Sequence, residues 1–211
     1  PKFPHSSTIE FLLGRQFEDP MPQRAEVIRR TLTRMARGGV CDQIGGGFHR
    51  YSTDARWIVP HFEKMLYDNA QLLRNYAMAY AVFGDPLYRA TAAGIIRFFR
   101  TTLSDQTQGG FYTSQDADVG LHDDGDYFTW TLDEVRAICA PEELSVLAAR
   151  FDIQEKGEMH HNPARNVLFI AEEIDVIAGR LGRSEAEVER LLASGIAKLQ
   201  EARDRRPMPF V

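Results

Sequence analysis

The sequence predicts a mainly α chain built from helical hairpins, with a small β insertion. Three observations carry this. Apolar residues recur at helical spacing through most of the chain, short Gly- or Pro-containing breaks separate the periodic stretches, and one aromatic, β-branched stretch near residues 109–130 departs from that pattern.

The elements follow in order. Ser6 or Ser7 caps a short helix to about Leu13. Pro22 stands where a first-turn proline belongs, and Ala25, Ile28, Leu32 and Met35 form the apolar stripe of the next helix, which Gly38-Gly39 ends. A loop runs from Val40 to Val59 around Gly45-Gly46-Gly47. Pro60 is expected to open a long helix with Phe62, Met65, Leu66, Leu73, Tyr76, Ala77 and Tyr80 as its apolar positions, stopped at Gly84. Asp85-Pro86 starts another, with Tyr88, Thr91, Ile95, Phe98 and Thr102 at 3-4-3-4 spacing.

Phe111-Tyr112-Thr113 and Tyr127-Phe128-Thr129-Trp130 are strand-like, and the acidic Gly-containing segment between them suggests a hairpin over 109–130. Thr131 and Glu134 have capping-box spacing for a helix to about Cys139. Pro141 starts one ending near Phe151. Gln154 to Ile170 is irregular, with a short strand at 166–170. Helix returns from about Ala171 to Leu181, and Ser184 with Glu187 begins the last, to about Arg205. Short connections between helices give the helical-hairpin pattern.

The bulk properties narrow the function. The 211 residues suffice for one large domain or two small ones, a single toroid-type domain being expected, and carry a net charge of -5, which offers nothing to nucleic acid. Arginine outnumbers lysine 21 to 4, but it is scattered along helices. Cys41 and Cys139 form no CxxC or metal spacing and fit a reducing, cytoplasmic compartment. No apolar run approaches the ~20 residues of a bilayer span. The start PKFPHSST lacks Met, so the chain is expected to be a fragment. No cofactor motif is present.

Two segments hold the candidate chemistry. Gly45 to Asn69 (GGGFHRYSTDARWIVPHFEKMLYDN) concentrates glycine, aromatics and ionisable groups at a loop–helix junction. His61 and Glu63 are the candidate acid–base pair, placed in the first turn of the expected helix. Phe48, His49, Arg50, Tyr51, Trp57, Tyr67, Asp68 and Asn69 are candidate substrate-binding groups, with His61, Lys64 and Asp68 on one helical face. The bland alternative is that Glu63 complements the helix dipole, that His49 and Trp57 fill the loop's core, and that Asp68 and Asn69 pair with a neighbouring helix.

The second segment, Phe111 to Thr131, holds Asp116 and Asp118 as a candidate carboxylate pair, followed by His122, Asp123, Asp124 and Asp126. A calcium loop counted from Asp116 fails, because its sixth position is Leu121 and its twelfth Tyr127. Asx-turn chemistry accounts for Asp123, Asp124 and Asp126 equally well. His160-His161 are adjacent, a poor arrangement for one ion.

PKFPHSST, ARGGVCDQIGGGFHRYSTDARWIVPHFEKMLYDNA, GGFYTSQDAD and DYFTWT together resemble the widespread proteins that carry an N-terminal thioredoxin-like domain, which include the spermatogenesis-associated thioredoxin-like proteins of vertebrates. The resemblance is strong from Pro1 to about Trp130 and weak beyond. It implies that a thioredoxin-like domain precedes this segment in the intact protein and is a partner for it. It also implies an α/α toroid of the six-hairpin type, like the N-acylglucosamine 2-epimerase and six-hairpin glycosidase group, here incomplete because a further helical half would follow. An open toroid exposes apolar surface, so self-association is expected. The epimerase-like enzymes use histidines as acid and base; only His61 and Glu63 stand where such a role carries over.

Three readings follow: an epimerase- or glycosidase-like enzyme acting on a sugar or polyol without cofactor; a non-catalytic interaction module accompanying the redox domain; and a metal-dependent hydrolase on Asp116, Asp118 and His122.

Overall fold

The computed structural model describes residues 1–120 and 124–211. The chain is mainly α, with three short antiparallel strand pairings among the described residues. It divides into two compact units, Pro1–Ala117 with Phe210–Val211, and Asp118–Pro209.

In the first unit, α1 (Ser6–Glu18) and α2 (Pro22–Arg37) form one helical hairpin, and α3 (Leu66–Phe83) and α4 (Pro86–Phe98) the next. Helix α1 packs on α2 and α3, and α4 on α2 and α3, so the four close around one core. Tyr76 is fully buried at its centre: its ring stacks on Phe48 (5.4 Å between centroids) and its hydroxyl donates to the Leu32 carbonyl at 2.8 Å. Helix α1 runs five residues past the expected stop at Leu13. Gly14 sits inside it at a cost of about 1 kcal/mol relative to Ala. The Gln16 side chain then accepts from the Met21 amide at 3.1 Å where the chain turns.

Proline 22 and Asp85 act as the sequence implies. Pro22 is at the first turn of α2, and the Asp85 carboxylate accepts the Leu87 amide at 3.0 Å. Gly84 takes a left-handed φ of 70° as it ends α3. Helix α4 passes into a π turn, Phe99–Leu103.

One expectation is overturned. Pro60 does not open a helix; α3 begins at Leu66. Residues 60–65 are held extended by two strand pairings. Strand β2 (Pro60–His61) pairs with β1 (Tyr51–Ser52), and β3 (Lys64–Met65) pairs with β4 (Ser114–Gln115). Proline fits either a helix start or a strand position that donates no hydrogen bond, and here the partners decide.

In the second unit, β5 (Trp130–Thr131) leads into α5 (Leu132–Ile138), α6 (Pro141–Phe151), β6 (Arg165–Asn166), α7 (Ile174–Leu181) and α8 (Glu185–Arg203). The capping box is real: the Glu134 amide donates to Thr131 Oγ1 at 3.1 Å, and the Thr131 amide donates to Glu134 at 2.8 Å. Val146, Ile177, Val188 and Leu191 form the core between α6, α7 and α8. Gly195 lets α8 lie against Leu147, whose Cδ1 would stand 2.7 Å from a Cβ there.

The strand-like stretches of the predicted 109–130 hairpin do form short antiparallel pairings, but with distant partners rather than each other. Ser114–Gln115 joins β3, and Trp130–Thr131 joins Arg165–Asn166. The strand expected at 166–170 is this β6, one residue earlier and two residues long.

Candidate functional site

The segment from Gly38 to Asn69 is a loop clamped at several points. Asp42 is buried and its Oδ1 accepts the amides of Ile44 and Gly45 at 3.0 and 2.9 Å. Its Oδ2 takes the Lys64 ammonium at 2.7 Å, and Lys64 also donates to the Gly46 carbonyl at 2.9 Å. The ammonium lies 4.6 Å from the centroid of the Phe98 ring. Lys64 is therefore a buried group of β3 and does not share a helical face with His61 and Asp68.

The glycine triplet serves this packing. Gly46 has φ +79°, and a Cβ on it would meet the Gly94 carbonyl oxygen of α4 at 2.2 Å. Arg97 of α4 binds the same loop, donating to the Ile44 carbonyl at 2.9 Å.

Four of the predicted binding residues face inward. Phe48 and Asn69 are 0% exposed, His49 2% and Trp57 3%. At those values none presents a surface to a ligand. The Asn69 side chain accepts the Phe48 amide at 2.6 Å and donates to the Phe48 carbonyl at 2.9 Å. His49 Nδ1 lies 2.7 Å from the Phe62 carbonyl. Trp57, at φ +70°, carries Lys2 over its ring at 4.4 Å. Asp54 also serves the loop, its carboxylate accepting the Ile58 and Val59 amides.

The other four, Arg50, Tyr51, Tyr67 and Asp68, gather with His61 and Glu63 at one partly exposed place. Arg50 Nη1 donates to Glu63 Oε2 at 2.9 Å, and His61 Nε2 stands 3.8 Å from the same oxygen. The β1–β2 register sets Tyr51 opposite His61, and their rings stack at 5.0 Å with 22° between planes. Phe3, which the sequence did not single out, adds a further ring 5.0 Å from Tyr51. The bond to Glu63 raises the Arg50 pKa, its charge adds, and the Tyr67 phenol contributes. Burial pushes the Asp68 carboxyl up, Arg50 pulls it partly back, and Glu63 raises it again. Asp68 Oδ2 is buried without a hydrogen-bond partner.

The arrangement can move protons. An imidazole next to a carboxylate, with a second carboxyl whose pKa burial raises, is a set of groups that can give and take protons. The exposed faces of Tyr67 and Phe3 (48% and 43%) supply flat apolar surface beside it.

Asp116 and Asp118 are both exposed. The Asp116 amide donates to the Phe210 carbonyl at 2.8 Å. His122 and Asp123 lie outside the described residues. His161 Nε2 is 3.0 Å from Asp126 and its Nδ1 3.6 Å from Asp124, while Arg165 binds Asp126 at 2.8 Å. No group of three metal-ligating side chains occurs among the described residues, and no helix there is long and apolar enough to cross a membrane.

The Asp42–Lys64 pair was missed in the sequence. Its signal was present: two charges embedded in VCDQIGGGF and PHFEKM, apolar surroundings where a charge needs a partner.

No family profile matches the chain. Along its whole length it is similar to human spermatogenesis-associated protein 20, at 36% identity over 236 residues and 30% of that protein. The mouse protein of the same name is 36% identical over 232 residues, 98% of this chain and 29% of that one. An uncharacterized protein of Caenorhabditis elegans is 28% identical over 100% of this chain and 32% of its own length. The chain thus spans about a third of the curated relatives it matches. Among solved structures, D-mannose isomerase superposes with a TM-score of 0.45 at 18% identity, over 54% of this chain and 29% of that one.

Proposed function

We propose that the cluster around Glu63 binds a sugar or polyol and exchanges protons with it, His61 and Glu63 acting as the acid–base pair. Asp68 is a second carboxyl of the cluster, its pKa raised by burial, and Tyr51 and Tyr67 are surfaces for a sugar ring. The observation that carries this reading is the 3.8 Å approach of His61 Nε2 to a carboxylate oxygen already bonded to Arg50. Arg50 fixes Glu63, so the imidazole meets an oriented carboxylate without having to recruit one. In this reading the hairpins belong to an α/α toroid of the intact, cytoplasmic protein, and the exposed Asp116 and Asp118 are additional groups for hydroxyl recognition.

Thermal melting against a panel of free sugars and polyols tests it. A ligand at about 100 times its Kd adds about 2.7 kcal/mol and moves the midpoint visibly. The expected result is a shift for one sugar class that disappears in His61→Asn and Glu63→Gln. A shift that survives both variants, or none across the panel, overturns it.

A second reading is favoured by the exposure of Tyr67 and Phe3: the same surface docks the thioredoxin-like domain of the intact protein as a non-catalytic module. Binding of a separately produced thioredoxin-like domain, lost on Tyr67→Ser, is its expected signature.

A further inference from the structure

We infer that the outer face of α4 holds a second ligand site, independent of the Glu63 cluster, for a small phosphomonoester. Ala93, Ile96, Arg97, Arg100 and Thr101 line a cleft of about 410 Å3 where α4 passes into the π turn. Its size is that of a small-molecule site and well beyond what a bare phosphate needs.

The cleft has charge on one side and apolar surface on the other. Ile96 is 45% exposed, and with Ala93 it offers a floor for carbon. The two guanidiniums are one turn apart and repel each other, and neither forms an ion pair with a carboxylate among the described residues. The chain from Pro86 to Ser104 contains three arginines and neither Asp nor Glu. Arg15, Arg74 and Arg180 are exposed arginines that do have carboxylate partners, Glu18, Glu10 and Glu172. Arg100 has no such partner among the described residues.

The Arg97 guanidinium is hydrogen-bonded to the loop beside it. Arg97 donates through Nη2 to the Ile44 carbonyl at 2.9 Å and through Nε toward the Gly45 carbonyl at 3.4 Å. Those bonds fix its orientation and leave N–H groups for another acceptor. A pre-positioned guanidinium beside an exposed one suits a dianionic phosphate, which accepts two or more charge-assisted bonds. The local π geometry widens the helix at this point, with the Thr101 hydroxyl donating to the Arg97 carbonyl at 2.9 Å. π turns recur at functional sites because they re-aim side chains.

Calorimetric titration of the full chain at constant ionic strength tests this, with inorganic phosphate and glycerol 3-phosphate as probes. The expected result is one saturable site that binds glycerol 3-phosphate more tightly than phosphate. Arg100→Ala should weaken it about tenfold or more, the loss of one charge-assisted bond. Arg136→Ala, the same charge change on an exposed arginine of the second unit, should leave it unchanged. Three results overturn the proposal: no saturable binding, equal weakening by the two variants, or equal affinity for the two probes. Arg100 touches nothing in the Glu63 cluster, so this test and the sugar panel fail independently.

Discussion

Replacing Lys64 by methionine removes an ammonium from a place that water does not reach. The Lys64 and Asp42 side chains are 2% and 5% exposed and meet at 2.7 Å. Methionine keeps the length and most of the volume but loses the ion pair, the bond to the Gly46 carbonyl and the contact with the Phe98 ring. Asp42 keeps the Ile44 and Gly45 amides on one oxygen and loses the cation on the other. Removing one member of a buried pair costs about 3–5 kcal/mol, most of it the penalty for the charge left behind. Asp42→Asn together with Lys64→Met removes both charges, so the double variant should cost at least about 1 kcal/mol less than the sum of the singles. Urea unfolding followed by tryptophan fluorescence reads this out, because Trp57 lies in the first unit and Trp130 in the second. A Trp130→Phe background leaves Trp57 as the reporter. A Lys64→Met variant within about 1 kcal/mol of the parent refutes the reasoning, as do strictly additive singles.

Gly46→Ala should be far more damaging than Gly84→Ala in a thermal melt. Both glycines have positive φ, worth about 1–2 kcal/mol of strain for alanine, but only at Gly46 would the new Cβ strike backbone, the Gly94 carbonyl at 2.2 Å; equal losses would be the contrary result. Glu143 accepts from Lys198 and Ser194, both at 2.7 Å, and these hold its carboxyl down from 4.5 to about 2. A depressed carboxyl stabilises the fold fully above the unfolded value and loses that contribution as pH falls. Melting of the second unit should therefore weaken between pH 4.5 and about 2, and Glu143→Gln should flatten that slope. Burial, with Asp42 adding to it, pushes the Cys41 thiol up to about 12, and burial raises Cys139 as well. A disulfide-exchange reagent at mildly alkaline pH should release almost no product from the native chain and two equivalents after denaturation; prompt reaction of the native protein would contradict the packing around Cys41.

Much of the helical framework was legible because its signals are local. Pro22, Asp85-Pro86, Thr131 with Glu134 and Pro141 each mark a helix start by chemistry that acts within four residues. Residues 60–65 were not legible for the opposite reason: their conformation is set by Tyr51–Ser52 and Ser114–Gln115, and a proline followed by apolar residues does not announce such partners. The partners of the strands in 109–130 were hidden in the same way, since strand-like residues reveal that they will pair but not with what. The candidate site was legible as a segment and not as a surface. A loop has no period, so nothing in the order of Phe48, His49, Arg50 and Tyr51 says that the first two turn inward and the next two outward. That division depends on Asn69, twenty-one residues on, which takes both backbone groups of Phe48.

That one amide has a consequence for motion. By giving and accepting at the same residue, Asn69 bonds Phe48 as a neighbouring strand would, and it does so from the first turns of α3. The loop cannot swing away while the helix stays formed. Its amide protons should exchange with solvent only when the start of α3 frays, so loop and helix open as one cooperative unit. Arg50 and Tyr51 on one side and His61 and Glu63 beyond the bend are thereby tied to the lifetime of a helix. The order of the cluster should therefore last as long as that helix does.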